Sequence, residues 1–174
     1  HNPQDYNGMK LVQKNSRPVG ADSGLLDIKA LIVSGAALPD ADVPGSYSTR
    51  DVMADYTKHL LGYIDKASLK PLKIVVNAGH GGAGLVIDAL EKSLPFEFIK
   101  VHHHPDGNFP AGVPNPLLEE NRAATADVVV AEGADLGIAW DGDYDRCFLF
   151  DAQGNFIEGY YIVGLLAQNF LLKN

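Results

Sequence analysis

The strongest constraint on the fold is a regular alternation, beyond residue 50, of short apolar runs with segments of helical spacing. Residues 72–77 form a continuous apolar run between Pro71 and a glycine cluster, a pattern typical of a strand buried on both faces of a parallel sheet. Strands separated by helices predict an α/β fold with a mixed, largely parallel sheet layered with helices. Further strands are predicted at residues 9–13, 96–101, 135–140 and 147–150.

Helical spacing and capping signals predict five helices. One is expected over residues 25–32, capped by Asp22 or Ser23, and another begins at Pro116, behind the capping residue Asn115, and stops at Gly133. The remaining helices are predicted over residues 51–64, 85–94 and 160–172.

Residues 34–49 are rich in Gly, Pro, Asp and Ser and are interpreted as a linker, with a domain boundary near Gly45. We expect residues 1–45 to close one domain, residues 46–155 to form a complete one, and residues 156–174 to begin another. The chain opens on His1-Asn2-Pro3 without a methionine, so we expect it to be part of a longer protein.

Charge and cysteine content exclude several function classes. Acidic residues number 22 against 14 basic ones, a net charge of −8, which argues against nucleic-acid and anionic-membrane partners. A small phosphorylated substrate needs only a few local cations and is not excluded. Cys147 is the single cysteine, so no disulfide forms within the chain, and we expect a cytoplasmic protein. No apolar run reaches the roughly 18 residues that span a bilayer.

The segment most suggestive of chemistry follows the predicted strand at residues 135–140. Asp141, Asp143 and Asp145 alternate along a tight loop, where they repel one another unless a cation lies between them. Mg²⁺ prefers such oxygen ligands, and Arg146 adds a planar donor for a phosphate. A solvated acidic turn is the alternative, whereas an EF-hand is excluded because Arg146 and Ala152 occupy its glycine and glutamate places.

The opening residues form a second candidate site. His1, Asn2, Tyr6 and Lys10 share one turn-rich loop, in which Lys10 could hold a phosphate or transfer a proton. Taken alone, this segment is better interpreted as a plain surface loop.

Together the two segments resemble a known family. The stretch from His1 to Lys10 resembles the sequence after the phosphorylated serine in the α-D-phosphohexomutase superfamily, and Asp141-Gly-Asp-Tyr-Asp-Arg146 resembles its metal loop. Residues 106–110, 114–118 and 147–151 are similar to the bacterial phosphomannomutases that feed GDP-mannose into surface polysaccharide. The resemblance covers essentially the whole chain.

The resemblance implies the end of domain 1, all of domain 2 and the opening of domain 3 of a four-domain enzyme. Members of this superfamily shift a phosphate between the 1- and 6-hydroxyls of a hexose through an enzyme phosphoserine and a hexose 1,6-bisphosphate. Mannose phosphate is the expected substrate, with a phosphoglucomutase or a dual-specificity enzyme as the alternative.

The resemblance also implies residue roles. Asp141, Asp143 and Asp145 would hold Mg²⁺, and Arg146 would orient the phosphate. His1 and Lys10 would be general acid–base residues, and Asn2 would shape their loop and help to bind the substrate. The nucleophilic serine should stand immediately before His1, so we expect residues 1–174 alone to be inactive.

Other interpretations stay open. Residues 79–84 match Gly-x-Gly-x-x-Gly, which would suit a nucleotide-binding domain of a dehydrogenase, although the next strand ends in His102-His103-His104 instead of an acid. We prefer the explanation that these glycines let a helix pack closely on a strand. The three histidines indicate a mostly solvated loop more than a Zn²⁺ site. We expect Cys147 to be a packed thiol, and a non-catalytic interaction module remains a third class.

Overall fold

The computed structural model describes residues 5–37 and 40–172. The chain divides into two compact units, one formed by Asp5–Arg50 and the other by the chain from Asp51 onward. Each is described by itself.

The smaller unit contains a short antiparallel pair, β1 (Val12–Gln13) and β2 (Arg17–Pro18), and helix α1 (Leu25–Ser34). The predicted strand at residues 9–13 is therefore reduced to two residues. The predicted cap of α1 is wrong, because the Ser23 hydroxyl accepts instead from the Gly20 amide at 2.7 Å and closes a short 3₁₀ turn before the helix.

The larger unit carries the remaining regular elements. In chain order they are α2 (Met53–Leu61), β3 (Lys73–Asn77), α3 (Ala83–Glu91), β4 (Glu97–Val101), α4 (Ala123–Glu132), β5 (Leu136–Trp140), β6 (Cys147–Phe150), β7 (Phe156–Ile157) and α5 (Gly159–Leu172).

Five of these strands form one mixed sheet in the order β4-β3-β5-β6-β7. The strands β4, β3 and β5 run parallel, with Val75 of β3 opposite Ile99 on one side and Gly137 on the other. The strands β6 and β7 continue the sheet in antiparallel fashion. The predicted α/β class and mixed sheet are confirmed.

Both faces of β3, the middle one of the three parallel strands, are buried, and successive side chains of this strand point to opposite sides of the sheet. Ile74 and Val76 pack with Ile87 of α3 on one face. On the other face, Val75 packs against Val129 of α4. The result is a helix–sheet–helix arrangement, and α2 contacts α3.

Helix α4 begins at Ala123, seven residues later than Pro116, so that prediction is wrong. The chain from Asn115 first makes a turn, in which the Leu118 amide donates to the Asn115 carbonyl at 3.1 Å. The Arg122 side chain then donates to the Pro116 and Leu117 carbonyls at 3.2 and 3.1 Å. These bonds satisfy carbonyls that a helix would otherwise have used. The predicted stop at Gly133, in the left-handed conformation with φ 59°, is confirmed.

Helix α5 has no buried residue, and its apolar side chains, Leu165 among them, are largely exposed. Among the helices of the described residues, none has the length and apolarity that crossing a bilayer requires.

Two neighbouring valines of α4 provide a matched test of this packing. Val129 is fully buried and Val130 is 59% exposed. We expect Val129→Ala to lower the free energy of unfolding by about 2 kcal/mol, through lost burial and a residual cavity. Val130→Ala should change it by less than about 0.5 kcal/mol. Urea unfolding of both variants checks this, and equal losses would contradict the packing described.

Candidate functional site

The acidic loop, Asp141–Arg146, connects the antiparallel strands β5 and β6 at the carboxyl end of β5. The pair Trp140 and Cys147 closes the ladder immediately before and after it. Within the loop the Tyr144 amide donates to the Asp141 carbonyl at 3.1 Å, and Tyr144 takes the left-handed conformation with φ 49°. The carboxyl edge of the parallel strands is where open α/β sheets bind ligands.

The loop gathers the three aspartates that the sequence singled out. One carboxylate oxygen from each of Asp141, Asp143 and Asp145 lies within 4.8 Å of the others. Asp141 is fully buried, whereas the other two are exposed. Across residues 5–37 and 40–172, no other group of three potential metal ligands comes this close. The chemistry of this donor set, three hard oxygens on one short loop, fits a divalent cation such as Mg²⁺.

Arg146 neutralises the buried member of this group. Its Nε donates to Asp141 Oδ2 at 2.7 Å, and its backbone amide donates to Asp141 Oδ1 at 3.1 Å. A second carboxylate, that of Asp145, lies 3.7 Å from the same Nε. A buried carboxylate is costly unless paired and hydrogen-bonded, so Arg146 makes the burial of Asp141 tolerable. With 39% of its side chain exposed, Arg146 can also reach a ligand.

Of the other predicted site residues, the structure describes only Lys10. Lys10 is an exposed residue of the smaller unit. His1 and Asn2 lie outside the described residues, so their roles stay predictions.

Two contacts that the sequence analysis missed hold the edge of the sheet where the acidic loop lies. The buried Asn77 side chain, at the end of β3, donates to the Thr125 hydroxyl of α4 at 3.0 Å. Its Oδ1 accepts from the Gly79 amide at 2.9 Å. A polar residue that closes an otherwise apolar run, just before a glycine, was the signal available in the sequence.

The glycine loop, Gly79–Gly82, lies directly against the acidic loop. The Gly82 amide donates to the Gly142 carbonyl at 3.0 Å. A Cβ on Gly82 would lie 2.6 Å from the Tyr144 ring. A dinucleotide pyrophosphate needs open space over such glycines, and here the acidic loop fills that space. The geometry therefore disfavours the dehydrogenase interpretation.

Two of the three histidines, His102 and His103, are more buried than the expected solvated loop implies, whereas His104 is exposed. His102 stacks on His80 with ring centroids 5.0 Å apart, and His103 Nε2 lies 2.8 Å from Asp88 Oδ1. Asp88 in turn accepts from Lys100 Nζ at 2.9 Å, and that bond is the main cause of its lowered pKa. In the part of the chain that the structure describes, the histidines contribute to no three-ligand metal group.

A cavity of about 100 Å³ lies beside the carboxyl edge, lined by Asn77, His102, Asn115 and Trp140 among others. The buried Asn115 Oδ1 accepts no hydrogen bond from the described residues. Small-molecule sites usually measure about 300–1,000 Å³, so this cavity suits a few water molecules better than a sugar phosphate.

Cys147 is exposed as a residue, so the expectation of a packed thiol is wrong in that respect. Protein atoms around the sulfur nevertheless desolvate it and raise the pKa of the thiol to about 11. At neutral pH the side chain is therefore a thiol and not a thiolate nucleophile.

The histidine pair predicts a pH dependence of stability. Burial, and secondarily the neighbouring His80, lowers the pKa of His102 below its usual 6.5. The unfolded chain then binds a proton at His102 more readily than the folded chain does. The stability that neutral His102 contributes is therefore present above pH 6.5 and is lost as the pH falls below it. We expect His102→Gln to weaken the pH dependence of the urea unfolding midpoint between pH 5 and 7. His104→Gln, which removes an exposed neighbouring imidazole, is the control, and equal weakening in both variants would contradict this assignment.

Comparison with known proteins places this geometry in a family. Residues 54–154 match the family described as phosphoglucomutase/phosphomannomutase, alpha/beta/alpha domain II. The chain is 58% identical over 173 residues to a protein of Xanthomonas campestris pv. campestris (strain B100) named "Phosphohexose mutases", covering 99% of this chain and 38% of the relative. It is 56% identical over 178 residues to a "Phosphomannomutase" of Vibrio cholerae serotype O1, covering 99% of this chain and 38% of that relative.

A solved structure shows the same architecture. The crystal structure of a phosphoglucomutase/phosphomannomutase family protein from Burkholderia thailandensis matches with a TM-score of 0.85 and 33% identity, covering all of this chain and 36% of that one. The chain thus spans about two fifths of the length of the curated relatives it matches. The family match, which extends from α2 to beyond β6, includes the whole acidic loop, and the chain belongs to the phosphoglucomutase/phosphomannomutase family.

Proposed function

We propose that the protein containing this chain interconverts mannose 1-phosphate and mannose 6-phosphate, through a phosphoserine and a hexose 1,6-bisphosphate. The observation that carries the proposal is the convergence of Asp141, Asp143 and Asp145 within 4.8 Å at the carboxyl edge of the sheet. The names of the relatives add the substrate class. The step would take place in the cytoplasm and supply GDP-mannose for surface polysaccharide.

In this proposal the three aspartates hold Mg²⁺. The ion, when bound, supplies positive charge that neutralises the transferring phosphoryl group, the main requirement of this chemistry. The buried Asp141 carboxylate is already held in place by two hydrogen bonds from Arg146. Asp143 and Asp145, which are exposed, contribute the other two carboxylate ligands.

Arg146 has two tasks in this scheme. Its Nε keeps the Asp141 carboxylate oriented, and its remaining guanidinium N–H groups orient a phosphate oxygen of the substrate or of the phosphoserine. A planar fork can serve both partners because its five donors point in fixed directions.

The proton transfers are assigned to the opening segment. His1 and Lys10 act as general acid–base residues beside a serine that precedes His1, and Asn2 shapes their loop. As the phosphoryl group leaves the serine for the sugar hydroxyl, one of them takes the proton of that hydroxyl and the other gives a proton to the serine oxygen. When the serine is phosphorylated again from the other position, the serine hydroxyl gives up its proton and the departing sugar oxygen receives one.

A preference for glucose 1-phosphate, or activity on both sugars, is the alternative. The relative named "Phosphohexose mutases" supports this wider specificity, and the "Phosphomannomutase" supports the narrower one.

The test is ³¹P NMR of the full-length gene product, with the nucleophilic serine present and phosphorylated. The sample contains mannose 1-phosphate, Mg²⁺ and a trace of hexose 1,6-bisphosphate, and a parallel sample contains glucose 1-phosphate. We expect a 6-phosphate resonance to grow and to stop growing when a chelator is added. Asp143→Asn should lower kcat by at least about 10²-fold, because one metal ligand loses its charge.

The matched control is Asp127→Asn, which removes the same charge from an exposed position of α4. It should retain wild-type turnover. Conversion that persists in the chelator, or equal losses in both variants, would contradict the proposed role of the acidic loop. Absence of conversion of either sugar would contradict the mutase itself.

A further inference from the structure

The glycine-rich motif at residues 79–84 is not explained by the proposed reaction. The sequence offers two explanations for it, a dinucleotide fingerprint and close helix–strand packing. In the structure its glycines have different neighbours. Gly84 faces the His103 carbonyl, whereas Gly81 and Gly82 face the acidic loop.

The contact at Gly81 is between backbones. A Cβ added there would lie 2.8 Å from Gly142 Cα and 2.9 Å from the Gly142 carbonyl carbon, closer than real Cβ atoms approach such neighbours. Backbone atoms cannot rotate away as a flexible side chain can. Glycine is therefore required at position 81 for the acidic loop to keep its place.

The contact at Gly82 has two parts. Its amide donates to the Gly142 carbonyl at 3.0 Å, and the Tyr144 ring covers the position where a Cβ would be. The acidic loop is thus held on either side of Asp143, at Gly142 by a hydrogen bond and at Tyr144 by ring packing.

The glycine loop is itself well anchored. The Gly79 amide donates to the buried Asn77 side chain at 2.9 Å, and Asn77 is tied to Thr125 of α4. The His80 amide donates to the His102 carbonyl at 2.8 Å, and the Gly81 amide donates to the Ala78 carbonyl at 2.8 Å. A support with this many bonds to the sheet can fix the position of a neighbouring loop.

We propose that the glycine loop is a positioning element for the metal site: Gly81 and Gly82 set the place of Gly142 and Tyr144, and thereby the spacing of Asp141, Asp143 and Asp145. The proposal rests on the proposed function of these aspartates as Mg²⁺ ligands. Mg²⁺ requires near-ideal octahedral geometry, and a functional site tolerates displacements of only about 0.5 Å. A methyl group on Gly81 would push Gly142 at least that far.

The experiment measures Mg²⁺ binding to the full chain by isothermal titration calorimetry, and Mn²⁺ binding by the EPR signal of the free ion. Circular dichroism and thermal unfolding report on the fold of each variant. We expect Gly81→Ala to weaken metal binding by about tenfold or more, the usual effect of losing a contact that orients a ligand.

Two glycine variants separate positioning from general damage. In Gly84→Ala the added methyl clashes with the His103 carbonyl, away from the acidic loop, so it should lower stability and change metal affinity less than about twofold. In Gly107→Ala the added methyl meets nothing within 4 Å and should change neither property. Equal weakening of metal binding by Gly81→Ala and Gly84→Ala would overturn the proposal, as would wild-type affinity in Gly81→Ala.

If Gly81→Ala does not fold, a double-mutant cycle decides. Gly82→Ala should weaken binding in the wild-type background and lose most of this effect in a Tyr144→Gly background, where the ring that it would strike is gone. An equal effect in both backgrounds would overturn the proposal. Absence of Mg²⁺ binding by the unmodified chain would instead reject the metal site, and with it this inference, before any glycine variant is compared.

Discussion

The hydrogen bond from Asn77 to Thr125 connects the apolar core to the candidate site. It joins the end of the buried strand β3 to helix α4 inside the protein, where an unpaired amide would be destabilising. The same side chain fixes the Gly79 amide and so starts the glycine loop. The parallel pairing of β3 with β5 then brings that loop beside the acidic loop. Core packing and site geometry are therefore parts of one connected structure.

Electrostatics explains why the acidic loop can exist before a cation binds. Three neighbouring carboxylates repel one another, and one of them, Asp141, has no exposed surface. Arg146 provides the compensating charge at 2.7 Å, and the loop backbone adds the Arg146 amide. A cation at the aspartates would add positive charge beside this guanidinium. In the proposed reaction these two positive charges would act together on a phosphate.

Much of this architecture follows from local patterns in the sequence. A continuous apolar run identified β3, because a strand buried on both faces leaves no alternation to misread. Alternate aspartates identified the acidic loop, because three neighbouring carboxylates repel one another unless a cation lies between them. The start of α4 was misplaced because Asn115-Pro116 has the composition of a helix start, while the Arg122 side chain satisfies the carbonyls of the turn that actually forms.

Tertiary contacts account for the rest. Nothing local distinguishes Gly81, which meets the Gly142 backbone, from Gly84, which meets the His103 carbonyl, because both partners are distant in sequence. For the same reason the stacking of His102 on His80 could not be read from three consecutive histidines. Arg146 was assigned to a phosphate by its chemistry, but its bond to Asp141 depends on the turn of the loop.

The central claim, that the acidic loop is a metal centre held on the glycine loop, is tested most directly by anomalous diffraction from a crystal soaked in Mn²⁺. The account predicts one strong peak at bonding distance, about 2–2.5 Å, from an oxygen of each of Asp141, Asp143 and Asp145. Gly142 should still accept from the Gly82 amide. A peak at other residues, or none at the acidic loop with Mn²⁺ bound elsewhere, would contradict it.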